Sequence, residues 1–282
     1  MSGHQLLVST LEKYLDEKEW SWLSKKIAVL SGDFKDRNFY LAFSACSRFV
    51  DKLEISFDTA DKKLLNAYYP NFSDLSWPKD ELARIALITA LPVDSNQRLL
   101  DNLFATADYR ELIALYKGLY FLDNANDFAL RCREGLRTNM AGVFDSIALY
   151  NPFPAKYLTE DAWNHMVLKA VFMERPIYKV HQIEERKNKK LAYIFLDYAH
   201  ERMSAHRKVT PELWRFVAGY ADENFLADLQ RTVLEGAELE RVAAIKALVE
   251  SDFSKGHQWL KAQRIETDQL PSWDEIGKAL AE

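Results

Sequence analysis

A chain of 282 residues with 48% hydrophobic and 13% aromatic side chains can bury a core without a disulfide or a metal, which excludes a disordered protein. The net charge of −5, from interspersed basic and acidic residues, excludes a broad nucleic-acid-binding surface. Nine glycines and eight prolines are few for this length and favour helix.

Apolar residues recur at i, i+3, i+4 and i+7 along nearly the whole chain, the spacing of amphipathic helices. The pattern predicts helices over 4–17, 19–31, 36–52, 80–91, 95–106, 108–121 and 124–138. It resumes over 141–149, 159–173, 188–206, 210–219, 222–235, 238–250, 253–263 and 272–281. Thr159 and Thr210 stand where hydroxyl caps belong, the second with Pro211 at the first helical position and Glu212 behind it. "SDFSKG" and "LPSWDE" read the same way. "LEISFDTA" (53–60) is the nearest approach to a strand, and 56–79, with "NAYYPNFSDLSWP", reads as an ordered connector in preference to a lid. Short helices on short connections predict an all-α fold: an irregular array of antiparallel helix hairpins, HEAT-like or gathered into a two-lobed bundle. No clean repeat period emerges. The chain is expected to form a single unit over 1–282, divisible into lobes of about 1–122 and 123–282.

Neither a signal peptide nor a spanning helix is legible. "MSGHQLLVSTLEKYL" lacks a basic n-region and an apolar h-region, and the longest apolar runs, "MVLKAVFM" and "LAYIFL", are too short to cross a bilayer. The expectation is a soluble, cytoplasmic protein with no integral membrane segment. Cys46 and Cys132 lie far apart without a CxxC pairing and read as buried, reduced thiols.

Polar residues concentrate in "REGLRTNMAGVFDSIALYNPFP" (133–154). Arg133 and Arg137 are one helical turn apart, and Thr138, Asn139 and Gly142 interrupt the helix before it restarts. Two guanidiniums beside a helix start suit an anion; equally, Glu134 and Asp145 can neutralise the arginines while Thr138 and Asn139 cap the next helix. Asn151 closes the stretch ahead of Pro152. In "WNHMVLKAVFM" Lys169 is the one cation among apolar neighbours, a turn after Asn164 and His165. In "LAYIFLDYAHERM" and the serine after it, the residues Asp197, His200, Glu201 and Ser204 share one helical face. That face is solvated, or pairs with Lys169 or Arg137, or supplies acid–base chemistry. A metal site is not supported, because only one histidine sits on the face and no HExxH spacing occurs. No GxSxG, Walker or GxGxxG element is present, so no catalytic residue and no cofactor is assigned.

"REGLRTNMAGVFDSIALYNPFPAKYLTEDAWNHMVLKAVF", followed by "LAYIFLDYAHER" and "TPELWRFV", resembles the EboA family, and the resemblance extends back through "FYLAFSACSRFVDK" (39–52). It implies a soluble helical protein encoded in bacterial gene clusters for export or maturation of specialised metabolites, among them a cyanobacterial sunscreen pigment. Neighbouring genes in such clusters encode a prenyltransferase-like membrane protein and isomerase-type enzymes. The family carries no assigned residue roles. The expected function is a non-enzymatic binding or adaptor protein that holds a small anionic or prenyl-linked intermediate, or a partner enzyme, around residues 131–201. The alternative is an enzyme without a recognisable motif, using Asp197 and His200 beside an Arg133/Arg137 anion site.

Overall fold

A computed structural model describes residues 1–32 and 34–281. These residues form seventeen α-helices and no sheet; one isolated antiparallel bridge joins Glu54 to Pro78. The chain divides into two compact units, Met1–Trp163 and Asn164–Glu282. The first holds α1 (Gly3–Tyr14), α2 (Glu17–Ser31), α3 (Asp36–Phe49), α4 (Thr59–Tyr68), α5 (Lys79–Thr89), α6 (Val93–Thr106), α7 (Tyr109–Gly118), α8 (Ala129–Gly135), α9 (Ala141–Ala148) and α10 (Pro152–Tyr157). Helix α11 (Glu160–Phe172) crosses the boundary. The second unit continues with α12 (Lys189–Ser204), α13 (Trp214–Val217), α14 (Glu223–Glu235), α15 (Glu238–Val249), α16 (Ser254–Ala262) and α17 (Trp273–Ala281). No helix among the described residues is long and apolar enough to cross a membrane.

The division falls well beyond residue 122, because α9 packs on α7 and α10 on α8 and α9, which keeps 129–157 with the first unit. That unit is gathered around α5, which touches α1, α2, α3 and α7. Its run of Leu82, Ala83, Ile85, Ala86, Leu87 and Ile88 is sealed from solvent on all sides. Such a helix must satisfy its polar residues internally. Arg84 reaches Asp80 at 2.7 Å and lies over the Phe43 ring, and Lys117 reaches Glu81 at 2.7 Å and Ser76 O at 2.9 Å above the Trp77 ring. Burial raises the Glu81 pKa against the pull of Lys117.

The 56–79 connector is more regular than its composition suggests. Asp58 caps α4 by accepting from Asp61 N–H at 2.7 Å, and Asn71 takes a left-handed turn (φ 67°) into a short 3₁₀ turn, Phe72–Asp74. Tyr69, Phe72 and Trp77 are then buried together, with Phe72 and Trp77 stacked at 4.3 Å. The strand-like 53–60 stretch supplies only the Glu54 bridge, flanked by Ile55 N–H to Trp77 O at 3.1 Å. Both cysteines are buried and unpaired with each other, and burial pushes the Cys46 thiol up to about 12 and raises that of Cys132.

In the second unit α12 and α15 pack against α13, whose Trp214, Phe216 and Val217 are fully buried. The predicted 210–219 helix is shorter than expected: a 3₁₀ turn over Pro211–Leu213 leads into α13, and Thr210 makes no side-chain cap bond. The chain leaves α13 at Gly219, whose φ of 87° is a left-handed conformation that glycine adopts without strain. Ser251 Oγ accepts from the Gly219 and Ala221 amides there, at 3.1 and 3.3 Å. Ser272 and Glu275 form the reciprocal cap of α17 expected from "PSWDE".

A basic-walled cleft in the C-terminal unit as candidate functional site

The structure sorts the ten candidate residues by what they touch. Arg133 is exposed on α8, and Arg137 is exposed just beyond it, 3.3 Å from Glu134. Thr138 Oγ1 accepts from Met140 N–H at 3.1 Å, and Asn139 is exposed. Asn151 is buried: its Oδ1 accepts from Phe153 N–H at 2.9 Å, capping α10, and its Nδ2 donates to Ser146 O at 2.8 Å. These five belong to the first unit.

The other five belong to the second. Asn164 is buried in a reciprocal amide pair with Asn188, at 2.9 and 3.2 Å, and Asn188 in turn caps α12 through Leu191 N–H. Lys169 is half-buried, and desolvation holds its ammonium below the usual lysine range. Asp197, His200 and Glu201 lie together on the exposed face of α12. His200 Nε2 lies 2.5 Å from Asp228 Oδ2 on α14. Burial raises the Asp228 pKa against the opposing pull of His200. Of the ten candidates, Asn151 caps α10, Asn164 braces the Asn188 cap of α12, and the α12 trio is exposed.

A different part of the second unit forms a cleft of about 680 Å³. Its walls come from the end of α11 and the 174–179 loop, the end of α12 with 208–212, the start of α15, and the end of α17. The apolar lining includes Val171, Ile177, Val209, Pro211, Leu239 and Leu280. Four cations border it: Arg175, Lys179, Arg202 and Lys208. The acids are Glu174, Glu212 and Glu240. Neither Asp197 nor His200 lines it.

Glu212 holds the base of this cleft together. It is 3% exposed, and its two oxygens accept from Ile177 N–H at 3.3 Å and Tyr178 N–H at 3.0 Å. Burial pushes its pKa up to about 7, although Arg215 and the two amides pull the other way. Arg215, equally buried, lies 4.0 Å from Glu212, pairs with Glu184 and reaches Asp274 of α17 at 2.7 Å. Helix α17 can come this close because of Gly277, where a Cβ would stand 2.5 Å from Glu212 Oε1 and 2.7 Å from the Tyr178 ring. "ELWRFV" carried a signal for this pair: a carboxylate and a guanidinium three residues apart inside an apolar run must meet partners indoors. Arg202 and Lys208 gave no such signal.

The comparisons with known proteins bear on the whole arrangement. No curated protein and no solved structure gives a match. A family model described as "Metabolite traffic protein EboA" matches residues 3–218, which takes in the first unit and the second as far as the end of α13. Helices α14 to α17, two of which wall the cleft, lie beyond the matched segment. With most of its length matched by that model, the chain belongs to the EboA family.

Proposed function

We propose that this chain is a non-enzymatic binding protein of a cytoplasmic specialised-metabolite biosynthesis or export pathway, and that it holds a small pathway metabolite in the C-terminal cleft. The observation that carries this reading is the cleft itself: about 680 Å³, apolar in most of its lining and bordered by cations. Small-molecule sites have this volume and this mixture of apolar wall with a few polar groups. The family description, metabolite traffic, fits a protein that receives and releases a compound. The enzymatic alternative asked Asp197 and His200 to face a cleft, and both are instead exposed on α12.

Native mass spectrometry of the protein purified from its own host tests the proposal. A small-molecule adduct is expected on the parent and on an Arg137→Ala/Asp197→Ala variant, and is expected to be lost from Leu239→Trp, which fills the cleft. An adduct lost only from the Arg137→Ala/Asp197→Ala variant would move the site to the 131–201 surface. A retained protein in place of a small molecule would make the chain an adaptor.

A further inference from the structure

We infer that the cleft takes an amphiphilic anion, its charged head against Arg202 and Lys208 and its apolar chain along α15 and α17. This rests on the cleft being the ligand site and goes on to its occupant. The α15 and α17 walls contribute no cation to the lining, whereas the other walls mix cations with apolar side chains. Leu239, Leu280, Ala281 and Gly277, from α15 and α17, present hydrocarbon or bare backbone. Arg202 and Lys208 come from the end of α12 and the loop after it.

The Arg202 guanidinium is held against the backbone at Lys208. Arg202 Nε donates to Lys208 O at 2.9 Å, and the guanidinium lies 5.9 Å from the centre of the Tyr198 ring. That fixes one edge of the fork and leaves the two terminal nitrogens to bind an oxyanion. Among the described residues no carboxylate pairs with either Arg202 or Lys208. Two of the three acids in the lining accept from backbone N–H groups. Glu240 accepts from Ala237 N–H at 2.9 Å in the cap of α15, and Glu212 accepts from Ile177 and Tyr178 N–H. Glu174, the third, is exposed.

A second cavity of about 290 Å³ strengthens the assignment of the head to this end. It shares Lys208, Val209 and Glu240 with the first and adds Arg207, Arg231 and His206. Arg207 and Lys208 carry positive charge outward here, Arg231 being offset by Glu235 at 3.1 Å, while α17 itself contributes no cation to the lining. An inorganic anion leaves the apolar wall unused, and a neutral alkane leaves the half-buried Arg202 guanidinium without an anion. An anion with one apolar chain satisfies both.

Isothermal titration calorimetry with decyl phosphate, decanoate, decanol and inorganic phosphate, each below its micellar concentration, tests this on the full chain. Decyl phosphate is expected to bind at least about tenfold more tightly than decanol or inorganic phosphate; the decanoate arm separates a carboxylate preference from a phosphate one. An Arg202→Met/Lys208→Met variant, with unchanged circular dichroism, is expected to lose about 10- to 100-fold for decyl phosphate and to bind decanol as before. Equal binding of decyl phosphate and decanol, or a variant indistinguishable from the parent, would overturn the inference. If decyl phosphate fails to bind while the host-derived adduct is still lost from Leu239→Trp, the occupant is wrong and the cleft stands. If that adduct is also insensitive to Leu239→Trp, the cleft itself is not the site.

Discussion

Single side chains decide how this protein responds to pH and to crowding. Glu212 has an ordinary carboxyl pKa of 4.5 when unfolded and one of about 7 in the fold. The folded state keeps a proton there that the unfolded chain releases, so between those values stability falls as pH rises. The parent's advantage over Glu212→Gln is expected to shrink by up to about 3 kcal/mol from pH 4.5 to 7.5. Urea unfolding at both pH values measures it, and a pH-independent difference would show that the carboxyl ionises normally. Gly277 is the other sensitive point. Its replacement by alanine drives a methyl into Glu212 and Tyr178 and is expected to cost about 1–3 kcal/mol by thermal melting, as overpacking of a tight contact does. A melting point unchanged from the parent would mean that α17 gives way freely.

At the level of whole helices, the same polar letters serve different ends, and substitution separates them. Asn151→Ala removes both the α10 cap and the partner of Ser146 O, and is expected to destabilise by about 1–2 kcal/mol. Arg133→Ala and Asn139→Ala, exposed, are expected to stay within about 0.5 kcal/mol. Denaturant midpoints rank the three, and an Arg133 effect as large as that of Asn151 would contradict its exposed placement. Helix positions were legible because the 3.6-residue period survives wherever one face is buried. Helices α4 and α10 escaped that reading for specific reasons. Helix α4 buries only Asp61 and Leu65, too few positions to show a period, and Asp61 is there because Lys13 and Tyr14 bind it. Helix α10 starts at "NPFP", which looks like a break, yet a proline at the first helical position needs no N–H partner.

For the molecule as a whole, the cleft could not be read from the chain, because its charged end at Arg202 and Lys208 and its apolar end at Leu239 and Leu280 are distant in sequence. No local pattern links them. The family-matched segment nevertheless ends at residue 218, short of α15 and α17. A fragment ending there uncovers Trp214, Phe216 and Val217, which α13 buries against α15 among others. It is expected to lose fixed tertiary packing in its C-terminal part and to bind no decyl phosphate, as seen by near-ultraviolet circular dichroism and calorimetry. A fragment that kept both would place the ligand outside the cleft.

The two sulfhydryls of the chain, Cys46 and Cys132, both sit in Met1–Trp163, sealed from solvent and shifted away from the reactive thiolate. An alkylating reagent can therefore reach them only when that half of the chain opens. The half that carries the cleft holds no cysteine and stays silent in the same reaction. Modification kinetics thus become a one-sided recorder of the N-terminal half. Where reclosing outpaces alkylation, the rate reports the free energy of opening of the N-terminal half.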